Sequence, residues 1–280
     1  MVFHTLVSTQ ALATQLDDAS WRIFDCRHDL AKPEAGEQAY RAAHIPNAQF
    51  LHLDRDLSGP VTGSNGRHPL PDPATFAATL ARRGVSNDSQ VIAYDDSGGM
   101  FAVRLWWMLR WLGHDKVAVL DGGLPAWQSA GYALSERVPR VPPAVFSWRA
   151  GELPVDGAYV QTHLAQPGML LMDARGADRF RGENETLDPV AGHIPGAVNR
   201  PFRNNLVADG HFKPAAQLRR EFEELLGEHP AQNTVCYCGS GVTACVDLLA
   251  LHEAGRPDAK LYPGSWSQWS RRGLLFETGA

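Results

Sequence analysis

The sequence predicts an α/β fold built twice, and three observations carry that reading. Short apolar runs rich in Val, Ile and Tyr alternate with helical patterns. The same blocks recur in the same order in both halves, offset by about 145 residues. A Pro-rich stretch separates the halves. Alternation of strand and helix favours a parallel sheet covered by helices on both faces.

In the first half, Trp21–Asp25 reads as a strand, followed by Cys26-Arg27 and then by His44-Ile45-Pro46-Asn47-Ala48. A helix is expected over Ala74–Arg83, a strand over Val91–Tyr94, a helix over Ala102–Leu112 and a strand over Val117–Leu120, with Gly122…Trp127 beyond it. The second half repeats the order. Leu170–Asp173 is a strand, followed by Ala174-Arg175 and by His193-Ile194-Pro195-Gly196-Ala197. A helix over Gln217–Leu226, a strand over Thr234–Tyr237, a helix over Thr243–Ala254 and Gly264…Trp269 complete it. The four helices read as amphipathic. Asp25 pairs with Asp173, His44 with His193 and Tyr94 with Tyr237. So long a period marks a duplicated domain and not a solenoid. Pro139, Pro142, Pro143 and Pro154 mark an extended linker. The expected organisation is therefore a domain over 1–136, a linker over 137–157 and a domain over 158–280.

A length of 280 residues suits about two domains. With 44% hydrophobic and 20% charged residues the chain is neither disordered nor a coiled coil. The net charge of -5 and the absence of a Lys/Arg run exclude a nucleic-acid footprint. No segment nears the roughly 18 apolar residues of a membrane span; Met100–Leu112 is broken by Arg104 and Arg110. Met1–Ser20 has no basic n-region and carries Asp17 and Asp18, which does not fit a signal peptide. A cytoplasmic protein without membrane partners is expected.

Four cysteines are too few for a disulfide scaffold, yet Cys236, Cys238 and Cys245 cluster. The segment Thr234-Val235-Cys236-Tyr237-Cys238-Gly239-Ser240-Gly241-Val242-Thr243 takes a buried strand through a Gly-rich turn into a helix starting at Val242 or Thr243. That places Cys238 at the carboxyl end of a strand, where open α/β sheets bind ligands. Gly239 and Gly241 let the backbone curl so that successive N–H groups form an anion nest, and the helix N-terminus adds positive potential. Both favour a thiolate. Cys236 and Cys245 read as structural, as do His44 and His193. The tryptophans Trp106, Trp107, Trp111, Trp127, Trp266 and Trp269 read as packing. Zinc is disfavoured because the cysteine spacing is wrong and no His lies nearby. A thiolate phosphatase would need an Arg where Ala244 stands.

The duplication, the two His-Ile-Pro blocks and the loop Cys-Gly-Ser-Gly-Val-Thr resemble the two-domain rhodanese-type sulfurtransferases over nearly the whole chain. The loop is most similar to that of 3-mercaptopyruvate sulfurtransferases. The resemblance implies tandem rhodanese-like domains in which Cys238 takes a sulfur atom from a small donor as a persulfide. The acceptor it implies is a thiol, a thioredoxin-like dithiol or cyanide, and no metal or organic cofactor is implied. The amides from Cys238 to Thr243, including those of Gly239, Gly241 and Val242, would hold the persulfide, with Thr243 orienting the loop through its hydroxyl. Arg179 would clamp the donor carboxylate, with Arg181 as the alternative. Ser240, His68 and Asp54 would form a relay that protonates the leaving enolate. Asp95 occupies the position matching Cys238, which makes the first half catalytically silent. Mercaptopyruvate-type relatives often carry a second Arg before the His-Ile-Pro-Gly block; here 182–192 has none. Thiosulfate as donor is the alternative, and a regulatory module without turnover is the alternative of another class.

Overall fold

The computed structural model describes residues 2–151, 154–164, 166, 168–227 and 229–279. It divides into two compact units. The first comprises Met1–Gly59, Pro71–Glu152 and Ala208–His211; the second comprises Pro60–Leu70, Leu153–Val207 and Phe212–Ala280. The segment Pro60–Leu70 therefore belongs with the second unit although it precedes much of the first in sequence.

The first unit holds strands β1 (Leu6–Val7), β2 (Trp21–Asp25), β3 (Ala48–Phe50), β4 (Gln90–Tyr94) and β5 (Val117–Leu120). Its helices are α1 (Thr9–Ala13), α2 (Ala35–Ala42), α3 (Pro73–Arg82), α4 (Ala102–Trp111) and α5 (Gly123–Ser129). The strands pair in the order β1-β5-β4-β2-β3, all parallel. Every residue of β4 and β5 is buried, which is why they read as unbroken apolar runs. α3 starts with Pro73, and Asp72 caps it by accepting the Thr75 N–H at 2.9 Å.

The second unit holds α6 (Gly157–His163), β6 (Leu170–Asp173), α7 (Ala177–Phe180), β7 (Val198–Asn199), α8 (Ala215–Leu226), β8 (Thr234–Tyr237), α9 (Ala244–Glu253), β9 (Lys260–Leu261) and α10 (Ser265–Trp269). Its parallel sheet runs β7-β6-β8-β9. α8 is amphipathic as expected and buries Leu218, Phe222 and Leu226 at four-residue spacing. α4 and α9 depart from that expectation. α4 buries every residue but Arg110, and α9 buries Ala244–Leu251 without a gap. These two helices follow the central strands and are enclosed on all sides. α9 also starts at Ala244, slightly later than expected, because the Gly-rich turn consumes Val242 and Thr243.

The same bracing network appears in both units. Arg27 forks onto Asp25 and reaches the Ala43 carbonyl at 2.7 Å; Arg175 forks onto Asp173 and reaches the Gly192 carbonyl at 2.7 Å. The hydroxyls of Tyr94 and Tyr237 accept the N–H of Ile45 and Ile194 at 3.1 and 3.2 Å. His44 stacks on Tyr40, its Nδ1 2.7 Å from the Tyr40 carbonyl. His193 stacks on Phe180, its Nδ1 2.8 Å from that carbonyl. Both histidines are thereby structural. The six tryptophans singled out above are all buried.

Residues 137–151 form neither helix nor strand. They are nevertheless strapped to the first unit: Ala144 N–H donates to the Ala81 carbonyl at 2.9 Å and Arg149 N–H to the Leu112 carbonyl at 3.1 Å. Glu152 and Leu153, within the expected linker, lie outside the described residues. Among the described residues no helix is long and apolar enough to cross a membrane.

Candidate active site

β8 delivers Cys238 to its carboxyl end, and the residue is 2% exposed. The loop after it is tied down from the other side. Trp266 N–H donates to the Cys238 carbonyl at 3.0 Å and Ser267 N–H to the Gly239 carbonyl at 2.8 Å. The Cys238 N–H donates to Ser265 Oγ at 3.1 Å. This corrects the expected cradle, since the amide of Cys238 is committed to Ser265. The amides of Gly239, Ser240, Val242 and Thr243 have no acceptor among the described residues. They sit between the strand end and α9, where an anion would be held.

The two glycines serve different ends. Gly241 has φ +75°, and a Cβ there would stand 2.5 Å from the Pro263 carbonyl oxygen, so the turn requires glycine. Gly239 does not have that backbone conformation. A Cβ on it would instead meet Arg67 Nη2 at 2.9 Å and Arg179 Nη1 at 3.4 Å. It is small because two guanidinium groups lie over it. Thr243 is the N-cap of α9 without a side-chain cap bond, so nothing in the structure shows its hydroxyl orienting the loop.

Ser240 Oγ and His68 Nδ1 are 2.7 Å apart and both residues are buried. His68 lies in Pro60–Leu70, within the same unit as the cysteine loop. Asp54 lies in the first unit, 44% exposed in its side chain, with its Oδ2 4.0 Å from His28 Nε2 and 3.9 Å from His52 Nδ1. These three residues are the group of the described residues that could hold a metal ion. His52 Nδ1, however, already accepts the Asp54 N–H at 3.1 Å.

Arg179 sits at the end of α7, and its guanidinium is shared. It donates to Glu185 through Nε and Nη2 at 3.1 and 2.8 Å, and to Asp188 at 3.3 Å. Arg67 Nη1 donates to the same Asp188. The Asp188 carboxylate is completely buried. Burial pushes it above the ordinary aspartate range against the pull of Arg67 and Arg179. Arg181 pairs with Glu183 at the surface. Sequence reasoning missed Arg67, Glu185, Asp188 and Ser265. Only Arg67 had a signal, its place next to His68.

The other cysteines are silent. Burial pushes the thiols of Cys26 and Cys236 well above the usual range, with nearby carboxylates adding to it. Cys245 donates to the Gly241 carbonyl at 3.5 Å and helps hold the turn.

The rhodanese-like domain model matches residues 8–130 and again 156–272. The chain belongs to the rhodanese family. It is 50% identical over 267 residues, covering 94% of each chain, to a Pseudomonas aeruginosa protein named "Probable 3-mercaptopyruvate sulfurtransferase". It is 34% identical to the thiosulfate sulfurtransferase of Rattus norvegicus, covering 97% of this chain and 94% of that one. Among solved structures it is similar to the 3-mercaptopyruvate sulfurtransferase of Leishmania major, with TM-score 0.86 and 32% identity over 96% of this chain and 75% of that one. It is also similar to the SseA protein of Escherichia coli, described with the 3-mercaptopyruvate sulfotransferases, with TM-score 0.82 and 36% identity over 95% of this chain and all of that one.

Proposed function

We propose that this rhodanese-family chain is a sulfurtransferase enzyme that moves a sulfur atom from 3-mercaptopyruvate through a persulfide on Cys238. The observation that carries the reading is the loop itself: a strand-end cysteine followed by four amides without an acceptor among the described residues and overlain by arginine nitrogens. The 50% identity to the Pseudomonas protein supports the donor.

The Cys238 thiolate attacks the donor sulfur. An S–S bond forms, the C–S bond breaks, and its electron pair passes to carbon as the enolate of pyruvate. The donor's own thiol proton is the one the enolate finally takes, giving pyruvate. The hydrogen-bonded Ser240–His68 pair is suited to carry it. Asp54 is proposed as the acidic member of that relay on its sequence position alone; an unchanged kcat in Asp54→Asn would remove it. The loop amides, including those of Gly239, Val242 and Thr243, hold the persulfide anion, and Gly241 supplies the turn. Arg179 binds the donor carboxylate. A thiolate acceptor, such as a thioredoxin-like dithiol, or cyanide then attacks the outer sulfur and regenerates the Cys238 thiolate. Covalent catalysis thus splits one transfer into two. All four cysteines are free, which suits the reducing cytoplasm proposed for this chemistry.

The second reading keeps the persulfide and makes thiosulfate the donor. It is favoured by the absence of Arg from 182–192 and by the similarity to the rat enzyme. Mass spectrometry after donor treatment tests the first reading. One sulfur atom should be gained on Cys238, and Cys238→Ser should lose both the gain and turnover. Thiosulfate winning in kcat/KM by more than about tenfold, or 1.4 kcal/mol, would replace mercaptopyruvate as the donor.

A further inference from the structure

The parallel register of the first unit brings two histidines to one sheet edge. Asp25 of β2 pairs with Phe50 of β3 at the carboxyl ends of the two strands, the edge where α/β sheets gather ligands. His28 stands three positions beyond the first strand end and His52 two beyond the second. We propose that His28, His52 and Asp54 form a zinc-binding site. It lies in the unit without Cys238 and stands independently of the sulfurtransferase reading.

The two imidazoles meet edge to face with ring centroids 5.2 Å apart. Both are out of solvent, and Phe101 and Phe50 wall them in with ring centroids at 5.3 and 6.2 Å. Asp54 presents its carboxylate to both, and the three ligand atoms lie within 4.8 Å of one another. Its Oδ2 is 4.0 Å from His28 Nε2 and 3.9 Å from His52 Nδ1. The turn that carries it is fixed. His52 N–H donates to Asp56 Oδ2 at 2.8 Å, and Asp56 N–H returns to the His52 carbonyl at 2.9 Å.

The tautomer of His52 suits a metal. Its Nδ1 faces two backbone donors, the N–H of Asp54 at 3.1 Å and of Arg55 at 3.4 Å, so the lone pair is on Nδ1 and the proton on Nε2. The neutral imidazole is the ligating form, and zinc would take that lone pair in exchange for two long contacts. The Nε2 N–H is buried with no acceptor among the described residues. Glu34 Oε1 stands 3.9 Å beyond it on an exposed side chain. Closing that gap supplies the outer carboxylate that metal-bound histidines use.

Two nitrogens and a carboxylate oxygen match the zinc donor set and leave a fourth position for water. Magnesium and calcium need more oxygen ligands. Zinc bonds of about 2.0–2.2 Å hold tetrahedral ligands about 3.4 Å apart, so the Asp54 oxygen has about half an ångström to travel toward each histidine. Its side chain is 44% exposed, which leaves room for that closure. His28 also lines a cavity of about 460 Å³ shared with Asp29 and Asp96, which gives a cation a way in.

The test uses tag-free, full-length Cys238→Ser protein, so that the strand-end thiol cannot take the metal and no turnover is needed. Zinc titrated by calorimetry should bind at micromolar concentration. Asp54→Ala, a change at a half-exposed side chain, and His28→Gln should each weaken that binding about 100-fold or more. Cobalt(II) should give the visible absorption of a four-coordinate ion and lose it in Asp54→Ala. No binding at micromolar zinc, or equal binding with and without the Asp54 and His28 side chains, overturns the site. Because the readout is binding in a protein lacking the nucleophile, failure here leaves the Cys238 persulfide untouched, and failure of the persulfide leaves this site untouched.

Discussion

The loops at the ends of β4 and β8 occupy the same place in the two copies of one fold and have been put to opposite uses. In the first unit the strand ends in Asp95, whose carboxylate is buried. It accepts the N–H of Ser97, Gly99, Phe101 and Ala102 at 2.8–2.9 Å. Burial raises this carboxyl, and the four amides pull the other way. In the second unit the strand ends in Cys238, and four amides of its loop lack an acceptor among the described residues. One copy fills its anion nest with its own side chain; in the other, four loop amides lie where the proposed persulfide would be held. The loops differ in that strand-end side chain and also in length, 95–101 against 238–243.

The backbone around both loops agrees closely. Leu124 N–H donates to the Asp95 carbonyl at 2.8 Å, as Trp266 does to that of Cys238 at 3.0 Å. Gly123 and Ser265 hold the matching position with φ +59° and +53°. A Cβ on Gly123 would stand 2.4 Å from the Asp95 carbonyl oxygen. Ser265 carries a side chain in that left-handed conformation at a cost of about 1–2 kcal/mol, offset in part by its bond to the Cys238 N–H.

The sharpest way to break this comparison is Cys238→Asp. A carboxylate there should take the loop amides as Asp95 does, so turnover should fall more than about 10³-fold while the melting temperature holds or rises. A steep fall in melting temperature would show that the two loops are not equivalent. Next in size is Asp95→Ala. It leaves four buried donors unpaired and should cost about 3 kcal/mol or more in urea unfolding. Cys238→Ser, which empties no such set of bonds, should cost much less. The smallest effect concerns the helices after the loops. α4 has no acid in its first turn, whereas α9 carries the buried Asp247, bonded to Asn205 Nδ2 at 2.6 Å. Burial pushes Asp247 up to about 8 against the pull of Arg200 and Asn205. Between its ordinary value of 3.8 and about 8 the folded protein keeps a proton that the unfolded chain has released. Stability therefore falls as pH rises through that window. The urea midpoint should drop from about pH 5 to about pH 8 in the wild type and drop less in Asp247→Asn. Equal slopes would exclude Asp247 as the source.

The strands were legible because buried parallel strands need nearly continuous apolar runs: Val117–Leu120 is one, Leu170–Asp173 and Thr234–Tyr237 are broken only at one end, and Trp21–Asp25 keeps its apolar residues around Arg22. The cysteine loop was legible because a φ of +75° next to the Pro263 carbonyl admits only glycine at 241. α4 and α9 were misread as amphipathic because Arg104 and Asp247 look like surface residues, yet both are buried. Arg104 finds the Leu57 carbonyl and Asp247 finds Asn205, partners far away in sequence that no local period records. The same holds for Ser265, which is 27 residues from the amide it accepts.

By itself the sequence determined the duplication and the parallel α/β sheets, and it put forward Cys238 as the proposed nucleophile and Asp95 at the matching position, since each is written in neighbouring residues and their spacing. Only the tertiary structure decided which charges meet. Arg67 and Asp188 lie 121 positions apart, and His68 and Ser240 lie 172 apart. Hydrogen bonds and Coulomb attraction act across angstroms of space, and chain folding, not chain order, sets those distances.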